Sequence, residues 1–187
     1  PHRQIINEKG WVSHDLNEIY ENVLTSARNV IEKTGINKDE ICAVGISNQR
    51  ETTAIWNRQG KPLNYAVVWQ CSRARDMIDP VRKYEKEIQE HTGIPLSPFF
   101  PAAKMAWLLK NTPEISQMDK AEICLGTIDS WLVFRLTDGK EFKTDYSNAS
   151  RTQLFDLKEL GWNSEICHLF GIPEECLPEV CDSDSLF

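Results

Sequence analysis

Apolar residues recur at helical spacing along the early chain, with Leu16, Ile19, Tyr20, Val23, Leu24, Ala27, Val30 and Ile31 forming one stripe. Asp15 stands at the N-cap position and Gly35 at the left-handed C-cap position, so the pattern predicts a helix between them whose stripe packs on a sheet. His2 to Glu8, just before it, reads as the tail of a strand. After Gly35 the apolar runs shorten and bunch: Ile41 to Ser47, Thr52 to Trp56 and Ala66 to Trp69 each read as a strand, and Asn57-Arg58-Gln59-Gly60 as a turn leading toward the third.

Helical patterning returns over Ser72 to Tyr84 and Glu85 to His91, with Pro80 as a kink or early break and Thr92-Gly93 as a stop. Ile94 to Pro101 is too rich in proline for a helix and too apolar for a solvated linker, so it lies against protein or lines a pocket. Ala102 to Leu109 then reads as a helix, Glu122 to Gly126 as a strand, and Thr127 as the cap of a helix over Ile128 to Leu136. Asp138-Gly139 turns the chain into an extended Glu141 to Asp145, with Thr152 to Phe155 extended and Asn163 to Phe170 helical. Strands alternating with helices, and no repeat or low-complexity tract, predict one α/β sheet domain.

Composition narrows the function. The 187 residues, 41% hydrophobic with six Trp, suffice to bury a substantial core. A net charge of −7 excludes the positive field that nucleic acid or an anionic membrane surface demands, so neither is expected as a partner. No apolar run approaches the roughly 20 residues needed to span a bilayer, and no secretion signal opens the sequence, so a cytoplasmic location is expected. Six cysteines form no Cys-x-x-Cys pair and have no His at a zinc-ligand spacing; Cys42 and Cys124 fall inside apolar strands, and all six read as reduced thiols.

Candidate chemistry concentrates at Gly45-Ile46-Ser47-Asn48-Gln49-Arg50-Glu51-Thr52-Thr53, where an apolar strand runs into an amide, a guanidinium and a carboxylate. Such groups at a strand end donate to and accept from neighbouring hydroxyls together, as polyol or sugar recognition requires; the competing reading is a turn whose Arg and Glu are solvated or paired with each other. Trp69, at the end of a second apolar run, offers an aromatic face for the carbon side of such a ligand.

These blocks, together with Gly60-Lys61-Pro62, Val67-Val68-Trp69-Gln70-Cys71 and Thr144-Asp145-Tyr146-Ser147-Asn148-Ala149-Ser150-Arg151-Thr152, resemble in order and spacing the glycerol-phosphorylating branch of the FGGY family of carbohydrate kinases. The similarity runs from Gly10-Trp11-Val12 to Leu177-Pro178-Glu179-Val180. It implies a ribonuclease H-like, actin-like ATPase domain, with residues 1–187 forming part of the N-terminal, substrate-binding domain. The family's first strands with their Asp-x-Gly-Thr-Thr/Ser phosphate loop, and its C-terminal ATP-binding domain, are expected to be absent from this sequence, which has no Gly-Thr-Thr or Walker loop. ATP and Mg2+ are therefore implied for the parent enzyme, with neither held tightly by this chain. The family's catalytic Asp is placed beyond Phe187, so no catalytic residue is assigned here.

By the same resemblance Arg50 and Glu51 bind substrate hydroxyls and Trp69 packs on the substrate carbons. A family Tyr that donates one more hydrogen bond is replaced by Phe99 within Ser97-Pro98-Phe99-Phe100, which opens another polyol or a ketose as alternatives to glycerol. A non-catalytic polyol-binding module is the reading from a different class, and a homo-oligomer through an exposed sheet edge is a further expectation. Asp129, in a first helical turn, reads as a cap or dipole partner, and Asp145 and Arg151 as residues that tie loops together. His14, His91 and His168 read as surface or packing residues, and the acidic Asp182-Ser183-Asp184-Ser185 lacks the glycine and distal glutamate of a calcium loop.

Overall fold

A computed structural model describes residues 2–187. The central sheet has five strands, β1 (Ile5–Ile6), β2 (Val12–His14), β3 (Thr53–Asn57), β4 (Ala66–Val67) and β5 (Ile123–Thr127), in the order β1-β2-β4-β3-β5. Every pairing in it is antiparallel, and the longest register runs from Thr53↔Thr127 to Asn57↔Ile123. The turn Asn57 to Gly60 closes through Gly60 N–H to the Asn57 carbonyl, with Gly60 at φ +74, and β4 follows within the predicted run.

Helix α1 (Leu16–Thr34) starts and stops where its caps require: the Asp15 carboxylate accepts from the Asn17 and Glu18 N–H groups, and Gly35 adopts φ +65. Only its first turns are covered, with Leu16 and Ile19 buried while Ala27 and Val30 are exposed. The reason lies in the next segment. Residues 41–47 form no strand, contrary to the sequence expectation; they pair with no other strand among the described residues, and Val44 is 79% exposed. A strand exists through its hydrogen-bonded neighbours, so apolar sequence alone does not make one, and without a sheet beneath it the second half of α1 has nothing to pack on. Cys42, expected inside a strand, is exposed for the same reason.

Strands β3 and β5 are buried on both faces, and their period-two alternation decides what meets what. Ile55, Ile123 and Leu125 face one core with Val67, Val68, Ala103, Met105 and Leu108, whereas Ala54, Trp56 and Cys124 face a second with Leu16, Trp131 and Phe134. The first core is roofed by helix α3 (Pro101–Asn111) and by 3-10 turns over Ser72–Met77 and Asp79–Tyr84 that lead into α2 (Glu85–Thr92). Pro80 sits in the first turn of the second 3-10 segment, where its missing N–H is harmless, and Gly93 ends α2 at φ +72. Helix α4 (Ile128–Leu136) covers the other face, and Gly126 lets it approach: a Cβ there would lie 2.8 Å from the Ser130 Cβ and 3.1 Å from Trp56.

The remainder wraps these layers. Strand β6 (Lys143–Asp145) pairs in parallel with β9 (Glu179–Cys181), the short helix α5 (Tyr146–Ala149) follows β6, and β7 (Phe155–Asp156) pairs with β8 (Gly161–Trp162) before α6 (Ser164–Leu169). All six cysteines are free thiols, and burial pushes Cys124 and Cys167 up to about 12. No described helix is long and apolar enough to cross a membrane.

Candidate substrate-binding site

Arg50 and Glu51 lie just before β3, separated from it by Thr52, and Trp69 lies just past β4, the strand beside it. A single hydroxyl links the two strand ends: Thr52 Oγ1 accepts from the Trp69 N–H at 3.3 Å and donates to Gln49 Oε1 at 2.7 Å. The proline-rich link then brings up its aromatic pair. Phe99 meets Trp69 edge to face with ring centroids 5.6 Å apart, and Phe100 meets Phe99 at 5.2 Å.

Segment 48–51 is held down by residues a hundred positions later. Asn48 Nδ2 donates to Asn148 Oδ1 at 3.0 Å, Arg50 Nη1 approaches the Ser147 carbonyl at 3.5 Å, and Arg151 Nε donates to Glu51 Oε1 at 2.8 Å. Glu51 therefore pairs with Arg151, not with Arg50. Arg151 also stacks its guanidinium 4.9 Å from the Phe100 ring centroid, so the contacts run in a closed ring from Glu51 through Arg151, Phe100, Phe99, Trp69 and Thr52 back to Glu51. Trp69 is 38% exposed and Arg50 is exposed, which leaves both able to meet a ligand.

Two buried ionisable groups underlie this region, one beneath the ring and one beneath segment 48–51. Lys104, fully buried on α3, donates from Nζ to the carbonyls of Pro98, Phe99 and Phe100. Burial pushes its pKa down to about 7, opposed by the Cys71 and Glu51 side chains. Asp129, in the first turn of α4, is buried and accepts from Thr144 Oγ1 at 2.6 Å, from Thr127 Oγ1 and, at 3.4 Å, from Asn48 Nδ2. Burial raises its pKa, and the Thr127 and Thr144 hydrogen bonds oppose the shift. Asp145 does tie loops, capping α5 through the Asn148 N–H and accepting from Ser183.

Arg151 ties loops, as expected, through its pair with Glu51, whereas the role of Lys104 was not anticipated. Arg151 lies inside the matched block Thr144 to Thr152, and a lysine flanked by Ala103 and Met105 on an apolar helix was the available signal for Lys104. The histidines stay away from the ring. His14 is buried against His2 with its pKa lowered to about 4 by burial and by that neighbour, and His91 Nδ1 lies 2.6 Å from Asp156 Oδ2. A separate recess of about 300 Å³ is lined by Tyr20, Arg58, Phe134 and Arg135; Arg58 there is engaged with the Ala121 carbonyl and Arg135 with the Tyr20 and Trp131 rings.

Residues 1–187 match the model of the FGGY family of carbohydrate kinases, N-terminal domain. Glycerol kinase 1 of Thermotoga maritima is 46% identical over 190 residues, covering 100% of this chain and 39% of its own length. Glycerol kinase of Thermococcus onnurineus is 45% identical over 180 residues, covering 95% of the chain and 36% of its own. The crystal structure of Plasmodium falciparum glycerol kinase with ADP superposes with a TM-score of 0.87 at 38% identity, over 96% of this chain and 37% of that one. A gluconate kinase structure from Lactobacillus acidophilus, at 24% identity and a TM-score of 0.83, shares the fold. The chain thus spans well under half the length of the relatives it matches. Its mixed α/β architecture and its sequence agree on one origin: this chain belongs to the FGGY family of carbohydrate kinases.

Proposed function

We propose that the chain is the polyol-binding part of a cytoplasmic, ATP-dependent kinase that converts glycerol to glycerol 3-phosphate. The observation that carries this reading is the junction of Arg50 and Glu51 with the Trp69–Phe99 pair at one end of the sheet. A guanidinium donates to hydroxyl oxygens, a carboxylate accepts from hydroxyl hydrogens, and the two aromatic edges meet the carbon side of a three-carbon polyol. Arg151 holds the Glu51 carboxylate in place as an acceptor. Glycerol kinases at 45 and 46% identity support the substrate assignment.

ATP supplies the phosphoryl group in this reading, with Mg2+ shielding its charge. This chain's residues do not fit either group by themselves: the sequence has no glycine-rich phosphate loop, and no three His, Cys, Asp or Glu gather as a metal site among the described residues. What the chain contributes is acceptor binding and orientation, which raises the effective concentration of the attacking hydroxyl.

Phe99 favours a second reading. It presents no hydroxyl to the ligand, so the same wall suits another polyol or a ketose. Steady-state kinetics of the parent enzyme on glycerol, four- and five-carbon polyols and ketoses separate the two. Glycerol with the highest kcat/KM supports the first, a larger acceptor the second, and turnover of none refutes both.

A further inference from the structure

A lysine with no exposed surface is an expensive residue to keep in an apolar helix, because an ammonium loses its hydration on burial. Lys104 stands between Ala103 and Met105 on the core side of α3, with Leu108 one turn on. Its three N–H donors meet three consecutive carbonyls, those of Pro98, Phe99 and Phe100, which is the full donor capacity of an ammonium group. The carbonyls belong to the turn that leads into α3, and Phe100, at the N-cap position, contributes no side-chain hydrogen bond of its own. The same Nζ lies 5.7 Å from the Phe99 ring centroid, and that ring rests against Trp69.

Resting on the polyol-site reading above, we infer that Lys104 is a positioning residue: it draws in the three carbonyls and so fixes the Phe99 ring against Trp69, setting the apolar wall of the acceptor site. Backbone conformation at 98–100 determines where the Phe99 ring projects. Without the ammonium, the Pro98 and Phe99 carbonyls lose this donor and the turn reorganises toward other partners, taking Phe99 with it. Lys104 touches no substrate, so its influence is confined to acceptor fit. Nucleotide binding is untouched by this linkage.

The test uses the parent kinase with Lys104→Met, which keeps the length and apolar volume of the side chain and removes the three donors. The polyol KM is expected to rise about tenfold, the equivalent of roughly one charge-assisted hydrogen bond, while the KM for ATP and kcat per folded molecule stay within about threefold. In a Phe99→Ala background the same substitution is expected to change polyol KM by less than about twofold, because the ring through which Lys104 acts is gone. Lys104→Gln, which retains two donors, is expected to fall between wild type and Lys104→Met and serves if the latter does not accumulate. An unchanged polyol KM in a less stable Lys104→Met enzyme overturns the inference, as does a full effect persisting in Phe99→Ala, or failure of both variants to fold. A wild-type parent that phosphorylates no polyol or ketose refutes the site reading itself and this inference with it, whereas an active wild type with an unmoved Lys104→Met refutes the inference alone.

Discussion

The Glu51–Arg151 pair offers the most direct test of how the acceptor site is built. Arg151 Nε lies 2.8 Å from Glu51 Oε1, with the two side chains only 29% and 14% exposed. That burial takes the pair out of the class of surface ion pairs worth about 0–1 kcal/mol and into that of hydrogen bonds to charged groups, worth roughly 1.5–3 kcal/mol. The guanidinium also stacks 4.9 Å from Phe100, so it is fixed on two sides and cannot follow a displaced carboxylate. Arg151→Met should therefore free Glu51 to rotate or to turn toward Arg50, and lower kcat/KM for the polyol about tenfold or more, corresponding to about 1.5 kcal/mol. Glu51→Gln should be more damaging, because it replaces the carboxylate proposed to accept from the ligand hydroxyls. The four-enzyme cycle of wild type, each single variant and the double variant isolates the coupling: once residue 51 is neutral, Arg151→Met has little left to remove, and a coupling of about 1.5 kcal/mol should appear. Independent effects that multiply in the double variant, with coupling under about 0.5 kcal/mol, would show that Arg151 does not orient Glu51.

Other outcomes follow from single residues. Phe99→Tyr restores a hydroxyl facing the ligand and should lower the glycerol KM by up to about tenfold, since a hydrogen bond is worth roughly 0.5–1.5 kcal/mol; a weaker use of glycerol with better use of a larger acceptor would favour the second reading. Gly126→Ala forces a Cβ to within 2.8 Å of Ser130 and should lower stability by about 1–3 kcal/mol, read as a fall in melting temperature; an unshifted melting temperature would mean that α4 moves aside freely. The buried Asp156 carboxylate accepts from the Lys158 and Glu159 N–H groups and from Asn163, with His91 beside it, and these contacts, the Lys158 N–H first, hold its pKa well below the usual carboxylate range. A depressed folded-state pKa stabilises the fold above the unfolded value of about 3.9 and loses that contribution as pH falls below it, so Asp156→Asn should flatten the acid limb of stability against pH; an unchanged limb would contradict this.

Features carried by nearby residues were legible in the sequence. Asp15, the apolar stripe and Gly35 mark α1 because capping and helical periodicity are local, and the Asn57 to Gly60 turn and β3 follow from turn chemistry and strand alternation. Ile41 to Ser47 carries as strong a strand pattern as Thr52 to Trp56, yet only the latter is a strand, since only it has β4 and β5 for neighbours. The site divides in the same way. Arg50, Glu51 and Trp69 stood out through their chemistry at strand ends, whereas the link from Glu51 to Arg151 spans a hundred residues and has no local signature. Lys104 is the sharper case: hydropathy assigns a lysine to the surface, and only the three carbonyls around it explain why this one is buried.

The two halves of the polar cluster are consequently held by different means. From Glu51 onward the backbone enters the sheet, with Thr53 paired to both Val67 and Thr127, and the Glu51 side chain is pinned by Arg151. Before it, residues 41–49 run without ladder hydrogen bonds, and their anchorage is side-chain: Asn48 to Asn148 and Asp129, and Gln49 to Thr52. Arg50 lies at the boundary, exposed, with one long contact to the Ser147 carbonyl. Glu51 thus has a position set by the fold, while the guanidinium of Arg50 retains rotamer freedom that ligand hydroxyls can remove on binding. Substitution of Asn48, which contacts no ring residue, should therefore weaken Arg50-dependent binding while leaving the Glu51–Arg151 pair intact, because it loosens only the approach to the sheet and not the sheet itself. Polyol KM of an Asn48→Ala parent enzyme, measured alone and with Arg50→Ala, reads this: a loss that disappears when Arg50 is already absent supports the division, and an undiminished loss places Asn48 in the support of Glu51 instead.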